Sequence, residues 1–180
     1  MPKNIEFKAR LRDREETECR VRGIADGPAE RIRQVDTFFR VDRGRLKLRV
    51  LDGERGELIF YERSDACGPR ASTYWIHGTS DPESLQVLLS AGLGARGTVR
   101  KERWLYRVGR TRVHLDDVER LGAFLEIEVV LSEDETEAEG RAVALRLMGL
   151  LGVGESDLVE HAYIDLLEEM GVLEEERSEP

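Results

Sequence analysis

The chain has 180 residues, 40% of them hydrophobic and 36% charged, which predicts one folded domain with a sizeable core and excludes a disordered chain. The net charge of −9 is uneven, because residues 131–180 hold 15 acidic and 3 basic residues. An acidic protein without a block of Lys or Arg is a poor candidate for binding a nucleic acid polymer.

A membrane role is not expected either. The sequence has no run of about 18 apolar residues, and its N-terminus MPKNIEFKAR lacks the apolar core of a signal peptide. We therefore expect a cytoplasmic protein. Cys19 and Cys67 have no metal-ligand spacing, and two reduced thiols are expected in that compartment.

The first half of the chain is rich in strand patterns. Polar and apolar side chains alternate strictly over residues 4–12, which is the period of a β-strand. Alternation returns at 45–50, where every second residue is basic. The predicted elements are a strand at 4–12, a helix at 14–25, strands at 34–41, 45–50 and 57–63, a loop at 64–70 and a strand at 71–77.

The second half adds helices to further strands. Asp81 and Pro82 are an N-cap acid and a first-turn proline, and they predict a helix up to about Gly92. Ser132 and Glu135 have capping-box spacing. The predicted elements are strands at 98–108, 111–118 and 123–131, a helix from this capping box to about residue 151, and an amphipathic helix at 156–170. We expect one domain over 1–171 and a disordered acidic tail over 172–180.

Several predicted strands have one apolar and one charged face. An antiparallel sheet with one face in water produces the same alternation. Two details favour an enclosed charged face: the two signs are segregated between strands, unlike ordinary surface pairs, and three helical segments are available to cover the apolar faces. The charged-face residues are Glu6, Lys8, Arg10, Arg45, Lys47, Arg49, Arg63, Lys101, Arg103, Arg112, His114, Asp116, Glu126 and Glu128.

Enclosed charges are costly unless they are paired or meet a ligand. A triphosphate with Mg²⁺ or Mn²⁺ suits both signs, because Lys and Arg bind phosphate oxygens and carboxylates hold a hard cation. No nucleophilic His or Cys is indicated, and glycine-rich phosphate loops are absent. His77 and His161 stand alone, whereas His114 shares the charged face and is expected to border the ligand.

An ordered set of short motifs resembles the CYTH family of triphosphate tunnel metalloenzymes, and within it the class IV adenylate cyclase-like (CyaB-like) branch. The resemblance covers roughly residues 4–168. The motifs are IEFKAR from Ile5, DTFF from Asp36, GRLKLR from Gly44, YERSD from Tyr61, KER from Lys101, VHLDDVE from Val113 and LGAFLEIE from Leu121.

The resemblance implies an α+β fold, an eight-stranded antiparallel β-barrel that forms a tunnel open at both ends and is flanked by helices. It implies triphosphate ligands at Lys8, Arg45, Lys47, Arg49, Arg63, Lys101 and Arg103, to which we add Arg10 and Arg112 from the charged faces. It implies metal ligands at Glu6, Glu126 and Glu128 with Asp116 near them. Lys8, Arg63 and Asp116 are the expected catalytic residues.

One position departs from the family signature E-x-E-x-K, because Asn4 stands where the first Glu is expected. Asn offers a neutral oxygen in place of a carboxylate, so neither a second metal nor tight metal binding can be assumed.

Three functions follow from the resemblance. The first is adenylate cyclase chemistry, in which the 3′-oxygen of ATP attacks the α-phosphorus and pyrophosphate leaves. The second is hydrolysis of inorganic, thiamine or nucleoside triphosphate, and the third is a sensor that binds a triphosphate or polyphosphate without turnover. A monomer and a homodimer are both compatible with the sequence.

Overall fold

The alternating segments form a closed β-barrel. A computed structural model describes residues 3–63 and 68–173. Its strands are β1 (Lys3–Arg10), β2 (Glu30–Phe39), β3 (Arg45–Leu51), β4 (Arg55–Arg63), β5 (Arg70–Thr79), β6 (Ala95–Val108), β7 (Thr111–Val118) and β8 (Gly122–Val130). Its helices are α1 (Arg14–Ile24), α2 (Pro82–Leu93), α3 (Glu137–Leu150) and α4 (Tyr163–Glu169).

The strands close in the order β1-β5-β4-β3-β2-β6-β7-β8, and β8 pairs with β1. Every pairing is antiparallel. The predicted eight-stranded antiparallel barrel is therefore confirmed. β2 begins earlier than the sequence pattern indicated, because Glu30 to Arg33 pair with the second half of β6.

Apolar side chains point outward from β1, β6, β7 and β8 and pack beneath α1 and α3. The main buried cluster comprises Ile5, Phe7, Val21, Tyr106, Val113, Leu115, Leu125, Ile127, Val129, Ala144, Leu147 and Leu151. Gly140 permits the close approach of α3, because a Cβ there would lie 2.7 Å from Cγ1 of Ile5. The prediction that helices cover the apolar faces is confirmed on this side of the barrel.

The cap of α3 differs from the prediction. Ser132 and Glu135 do interact, since the hydroxyl donates to Oε2 of Glu135 at 2.9 Å, but they close a turn outside the helix. The helix begins at Glu137, where Thr136 and Glu139 form the reciprocal capping box. Leu131 still bonds to the Lys3 carbonyl, as the predicted strand over 123–131 requires, and the turn at 132–135 delays the start of the helix by about four residues.

The predicted helix over 156–170 is wrong in its first half. A 3₁₀ turn covers Glu155–Asp157, extended chain follows, and α4 starts only at Tyr163. The reason is a free strand edge: β5 pairs with β1 only as far as Glu6. Leu158 bridges Ala9 on that edge, and the Val159 amide donates to the Lys8 carbonyl at 2.9 Å.

Helix α4 fills one end of the barrel, so the expectation of two open ends is not met. A second buried cluster joins inward-facing strand residues to the helix; it comprises Phe38, Val99, Val118, Leu121, Phe124, Ala162, Tyr163, Ile164, Leu166 and Leu167. Val172 and Leu173 pack against this cluster. The remainder of the predicted tail, 174–180, lies outside the described residues.

Part of the predicted loop at 64–70 also lies outside the described residues, and Cys67 with it. Cys19 is an exposed free thiol. None of the helices within 3–63 and 68–173 is both long and apolar enough to cross a membrane.

Candidate functional site

The barrel encloses a cavity of about 310 Å³. Its wall carries a belt of ionisable side chains drawn from seven of the eight strands, and β5 contributes none of them. The belt consists of Glu6, Lys8, Asp36, Lys47, Arg49, Glu57, Arg63, Lys101, Arg103, Arg112, His114, Glu126 and Glu128, and Asn4, Gln34 and Ser72 add neutral polar groups. These residues converge because alternate side chains of a closed barrel point to its axis.

The belt lies between two apolar layers. Along the inner face of β2, Phe38 belongs to the filled end, Asp36 and Gln34 follow, and Ile32 comes last. The opposite end is lined by Ile32 with Leu51, Ile76 and Leu105, which we call the apolar collar. The buried layer at the filled end lowers the local dielectric and strengthens the charge interactions next to it. The collar is only partly buried, since Ile76 is 52% exposed.

Asp36 organises the basic strand β3. Its carboxylate accepts from Lys47 Nζ at 2.6 Å, from Arg49 Nε at 3.0 Å and from Gln34 Nε2 at 3.0 Å. Burial opposes ionisation of Asp36, yet Arg49 and Lys47 hold its pKa far below the usual range. Burial, with repulsion from Arg49, lowers the pKa of Lys47 to about 7 despite this carboxylate.

Asp116 organises β6 in the same way. It accepts from Lys101 Nζ at 2.9 Å, from both forks of Arg103 at 2.7 and 2.6 Å, and from the Tyr163 hydroxyl at 3.2 Å. Its side chain is fully buried and does not line the cavity. Burial would raise the pKa of Asp116, but Arg103 and Lys101 lower it to about 2.

Lys8 stands at the junction of the belt and the filled end. Its Nζ lies 3.1 Å from Oε1 of Glu126 and 3.4 Å from the centre of the Tyr163 ring. Burial lowers the pKa of Lys8 to about 8, because the pull of Glu126 only partly offsets the loss of solvation. An anionic ligand nearby would raise this pKa again.

Glu126, Glu128 and His114 form a cluster whose ligand atoms all lie within 4.8 Å of one another. Nδ1 of His114 is buried and has no hydrogen-bond partner among the described residues. Burial lowers the pKa of His114. Carboxylate oxygens and imidazole nitrogen are ligand types for divalent cations, so the residues present here fit such an ion.

Glu6 does not belong to this cluster. It faces Glu128 across the β1–β8 pair, but its Oε1 accepts from Arg63 Nη1 at 2.7 Å. Nε and Nη2 of Arg63 are buried without a hydrogen-bond partner in the described part of the chain. Arg63 therefore has donors to offer a ligand in the cavity.

The barrel brings together most of the predicted site residues. Those on the cavity wall are Lys8, Lys47, Arg49, Arg63, Lys101, Arg103, Arg112, Glu6, Glu126 and Glu128. Three predicted residues are elsewhere. Arg10 is exposed, with its guanidinium 4.9 Å from the Phe124 ring, Arg45 pairs with Asp165 of α4 at 2.8 Å, and Asp116 lies behind Lys101 and Arg103.

Some site residues were not assigned a role from the sequence. Asp36 lies on the same inner face as Gln34, so the strand period offered a signal, but a single acid on a mostly apolar strand does not stand out. No sequence pattern indicated a role for Tyr163, because this residue reaches the cavity only through the packing of α4 into the barrel end.

Solved structures share this architecture. A Pyrococcus horikoshii protein matches with a TM-score of 0.80 and 25% identity, over 91% of this chain and 98% of its own. A candidate adenylate cyclase from Vibrio parahaemolyticus matches with a TM-score of 0.76 and 21% identity, over 92% and 97% of the two chains.

A third structure is a candidate adenylyl cyclase from Hippeastrum with a dominant triphosphatase activity; its TM-score is 0.63 and its identity 17%, over 95% of this chain and 97% of its own. A sequence comparison with curated proteins finds no match. The family model described as the CYTH domain matches residues 2–163. The order of the motifs, the closed barrel and this match together show that the chain belongs to the CYTH domain family.

Proposed function

We propose that this protein is a divalent-cation-dependent enzyme that acts on the triphosphate group of a small molecule inside the barrel. One observation carries the proposal: seven Lys and Arg side chains line a single cavity that one helix closes at one end. They are Lys8, Lys47, Arg49, Arg63, Lys101, Arg103 and Arg112. Family membership and the fold support the same substrate class.

The burial and incomplete hydrogen bonding of these cations favour an anionic ligand. Burial depresses the pKa of Lys8 and of Lys47, and Arg63 keeps two buried donors without partners among the described residues. Phosphate oxygens accept charge-assisted hydrogen bonds from such groups. A short, highly charged anion fits because the belt is confined between the filled end and the apolar collar.

Glu126 and Glu128 would hold the divalent cation, at the β8 side of the belt. A bound cation would act as a Lewis acid on the phosphate oxygens. Arg63 and Lys8 would stabilise the charge that develops on those oxygens in the transition state. Asp116 acts as a positioning residue, since it holds Lys101 and Arg103 in place without reaching the cavity.

Adenylate cyclase-type chemistry is the reaction we favour. The phosphates would occupy the belt, and the nucleoside would point toward the apolar collar at the opposite end from α4. In that reaction the 3′-oxygen of ATP bonds to the α-phosphorus, the α–β bridge breaks, and cyclic AMP and pyrophosphate are formed. The Vibrio parahaemolyticus neighbour supports this assignment at the level of fold.

Hydrolysis is the second candidate, and the Hippeastrum neighbour with its dominant triphosphatase activity favours it. Water would attack the terminal phosphorus of inorganic, thiamine or nucleoside triphosphate, the β–γ bridge would break, and the corresponding diphosphate would leave as orthophosphate forms. The same cations would serve both reactions, because phosphoryl transfer depends mainly on positioning and electrostatic stabilisation.

The products separate these functions. The purified protein is incubated with ATP, inorganic triphosphate or thiamine triphosphate, each with Mg²⁺ or Mn²⁺, and the products are resolved by chromatography. Cyclic AMP with pyrophosphate supports the cyclase, and orthophosphate supports the hydrolase. Binding without turnover in every mixture would reject an enzyme and leave a triphosphate sensor. Absence of binding would reject the proposal altogether.

A further inference from the structure

We infer that His114 is a direct ligand of the divalent cation, and that its nitrogen makes this site prefer a first-row transition ion such as Mn²⁺ or Co²⁺ to Mg²⁺. The inference rests on the proposed function only in placing a cation at Glu126 and Glu128. It adds a ligand and a metal preference that the carboxylates alone would not predict.

The position of His114 is the first support. It is paired with Glu126 across β7 and β8, and its neighbour Arg112 is paired with Glu128. Nδ1 lies 3.8 Å from Oε1 of Glu128 and 3.9 Å from Oε2 of Glu126. Both separations are too long for hydrogen bonds. Ligands on opposite sides of one ion are about 4.4 Å apart at most, so both distances allow Nδ1 and the carboxylate oxygens to share an ion.

The second support is the unsatisfied hydrogen-bonding capacity of His114. The side chain is only 4% exposed, and Nδ1 is a buried polar atom without a hydrogen-bond partner within the described ranges. A buried polar atom left in that state is destabilising. A cation between His114 and the two carboxylates would give Nδ1 a partner without any change of strand register.

The third support is the state of the other carboxylates. Asp116 accepts four hydrogen bonds from Lys101, Arg103 and Tyr163 and is sealed from the cavity. Glu6 accepts from Arg63. Both were predicted near the metal, yet neither belongs to the cluster that His114 joins. Glu126 and Glu128 also have cationic partners, Lys8 and Arg112, but they are the carboxylates within reach of His114.

Ligand chemistry gives the metal preference. Mg²⁺ favours oxygen ligands in a strict octahedron, whereas an imidazole nitrogen is a better ligand for first-row transition ions, with an affinity that rises from Mn²⁺ to Co²⁺. A site with two carboxylates and one imidazole should therefore bind Co²⁺ and Mn²⁺ more tightly than Mg²⁺.

The experiment measures binding in the full-length protein without triphosphate. Mn²⁺ is titrated while the electron paramagnetic resonance signal of free Mn²⁺ is followed, and Mg²⁺ and Co²⁺ are added as competitors. Electron spin-echo spectra of the bound Mn²⁺ report any coupling to a ¹⁴N nucleus. The test variant is His114→Asn, whose side-chain oxygen can stand near the place of Nδ1, and the control is His161→Asn at a half-exposed position.

We expect a ¹⁴N coupling in the wild type and in His161→Asn, and its loss in His114→Asn. Mn²⁺ affinity should fall by a factor of about 10 or more in His114→Asn, while Mg²⁺ affinity changes much less. A wild-type spectrum without ¹⁴N coupling overturns the inference even if the variant does not fold. Equal losses of Mn²⁺ and Mg²⁺ affinity would also overturn the preference.

Failure of this inference and failure of the proposed function look different. If Mn²⁺ binds without ¹⁴N coupling but Glu128→Ala abolishes that binding, His114 is not a ligand and the proposed enzyme stands. If the coupling is present but no triphosphate is bound or converted, the metal site stands and the proposed function is wrong.

Discussion

Nζ of Lys47 lies 2.6 Å from Oδ2 of Asp36, diagonally across the β2–β3 pair; the Asp36 side chain is buried and that of Lys47 is 11% exposed. This carboxylate also receives Arg49. One acid thus orients two cations of the cavity wall, and the arrangement leaves a net positive face toward the cavity. A short polyanion is the complement of such a face.

The pKa of Lys47 predicts a pH dependence of triphosphate binding. With a pKa of about 7, Lys47 is charged below that pH and increasingly neutral above it, so affinity should fall as pH rises through 7. A bound triphosphate raises the pKa again, and at pH 7 binding should take up roughly half a proton at this site. Titration calorimetry in buffers of different ionisation enthalpy measures this uptake.

Lys47→Arg is the matched variant for that prediction, because a guanidinium keeps its charge at every accessible pH. The wild type should take up about half a proton more than Lys47→Arg at pH 7, while protonation of the triphosphate itself is common to both. Equal uptake by the two proteins would show that Lys47 does not titrate on binding.

Asp36→Asn should destabilise the free protein and increase its dependence on an anion. Two buried cations then face each other without their carboxylate, and loss of one partner of a buried pair costs about 3 kcal/mol. Inorganic triphosphate should restore part of this free energy of unfolding. Urea denaturation with and without triphosphate measures both effects. A gain from triphosphate no larger than in the wild type would contradict the role given to Asp36.

Glu128→Ala should abolish metal-dependent turnover and leave the fold intact. The side chain of Glu128 faces the cavity, so its removal takes away a proposed ligand without opening the main apolar cluster. Initial rates with Mg²⁺ or Mn²⁺ and the far-ultraviolet circular dichroism spectrum are compared. Glu102→Ala is the control, because Glu102 pairs with Arg31 at 2.7 Å on the outer surface. Undiminished activity would remove Glu128 from the metal site.

Tyr163 should contribute mainly through its ring. Tyr163→Phe loses a hydrogen bond to Asp116 and should cost about 1 kcal/mol of stability. Tyr163→Ala also removes the ring beneath Lys8 and leaves a void in the filled end, at a cost of about 3–5 kcal/mol. Urea denaturation of both variants checks the difference. Equal losses of unfolding free energy in the two variants would show that the hydroxyl, and not the ring, accounts for the contribution of Tyr163.

The strands and their two faces could be predicted from local pattern, whereas the closed eight-stranded barrel was expected from the family resemblance. Alternation in each strand assigns every second side chain to one face, and strands with one apolar face must cover it. The basic run Arg45, Lys47, Arg49 and the acidic pair Glu126 and Glu128 were visible in the same way. These features depend only on the two-residue period of a strand. That period can be recognised from residues adjacent in sequence, without knowledge of long-range contacts.

Only the tertiary structure decided how the charges are distributed along the barrel axis. Arg10 and Asp116 have the same inward parity as their neighbours, yet Arg10 lies at the exposed rim and Asp116 lies behind the wall. Tyr163 enters the cavity because the chain after β8 and α3 returns to the edge of β1. The stagger of paired strands and the packing of α4 set these positions, and both arise from contacts between residues distant in sequence.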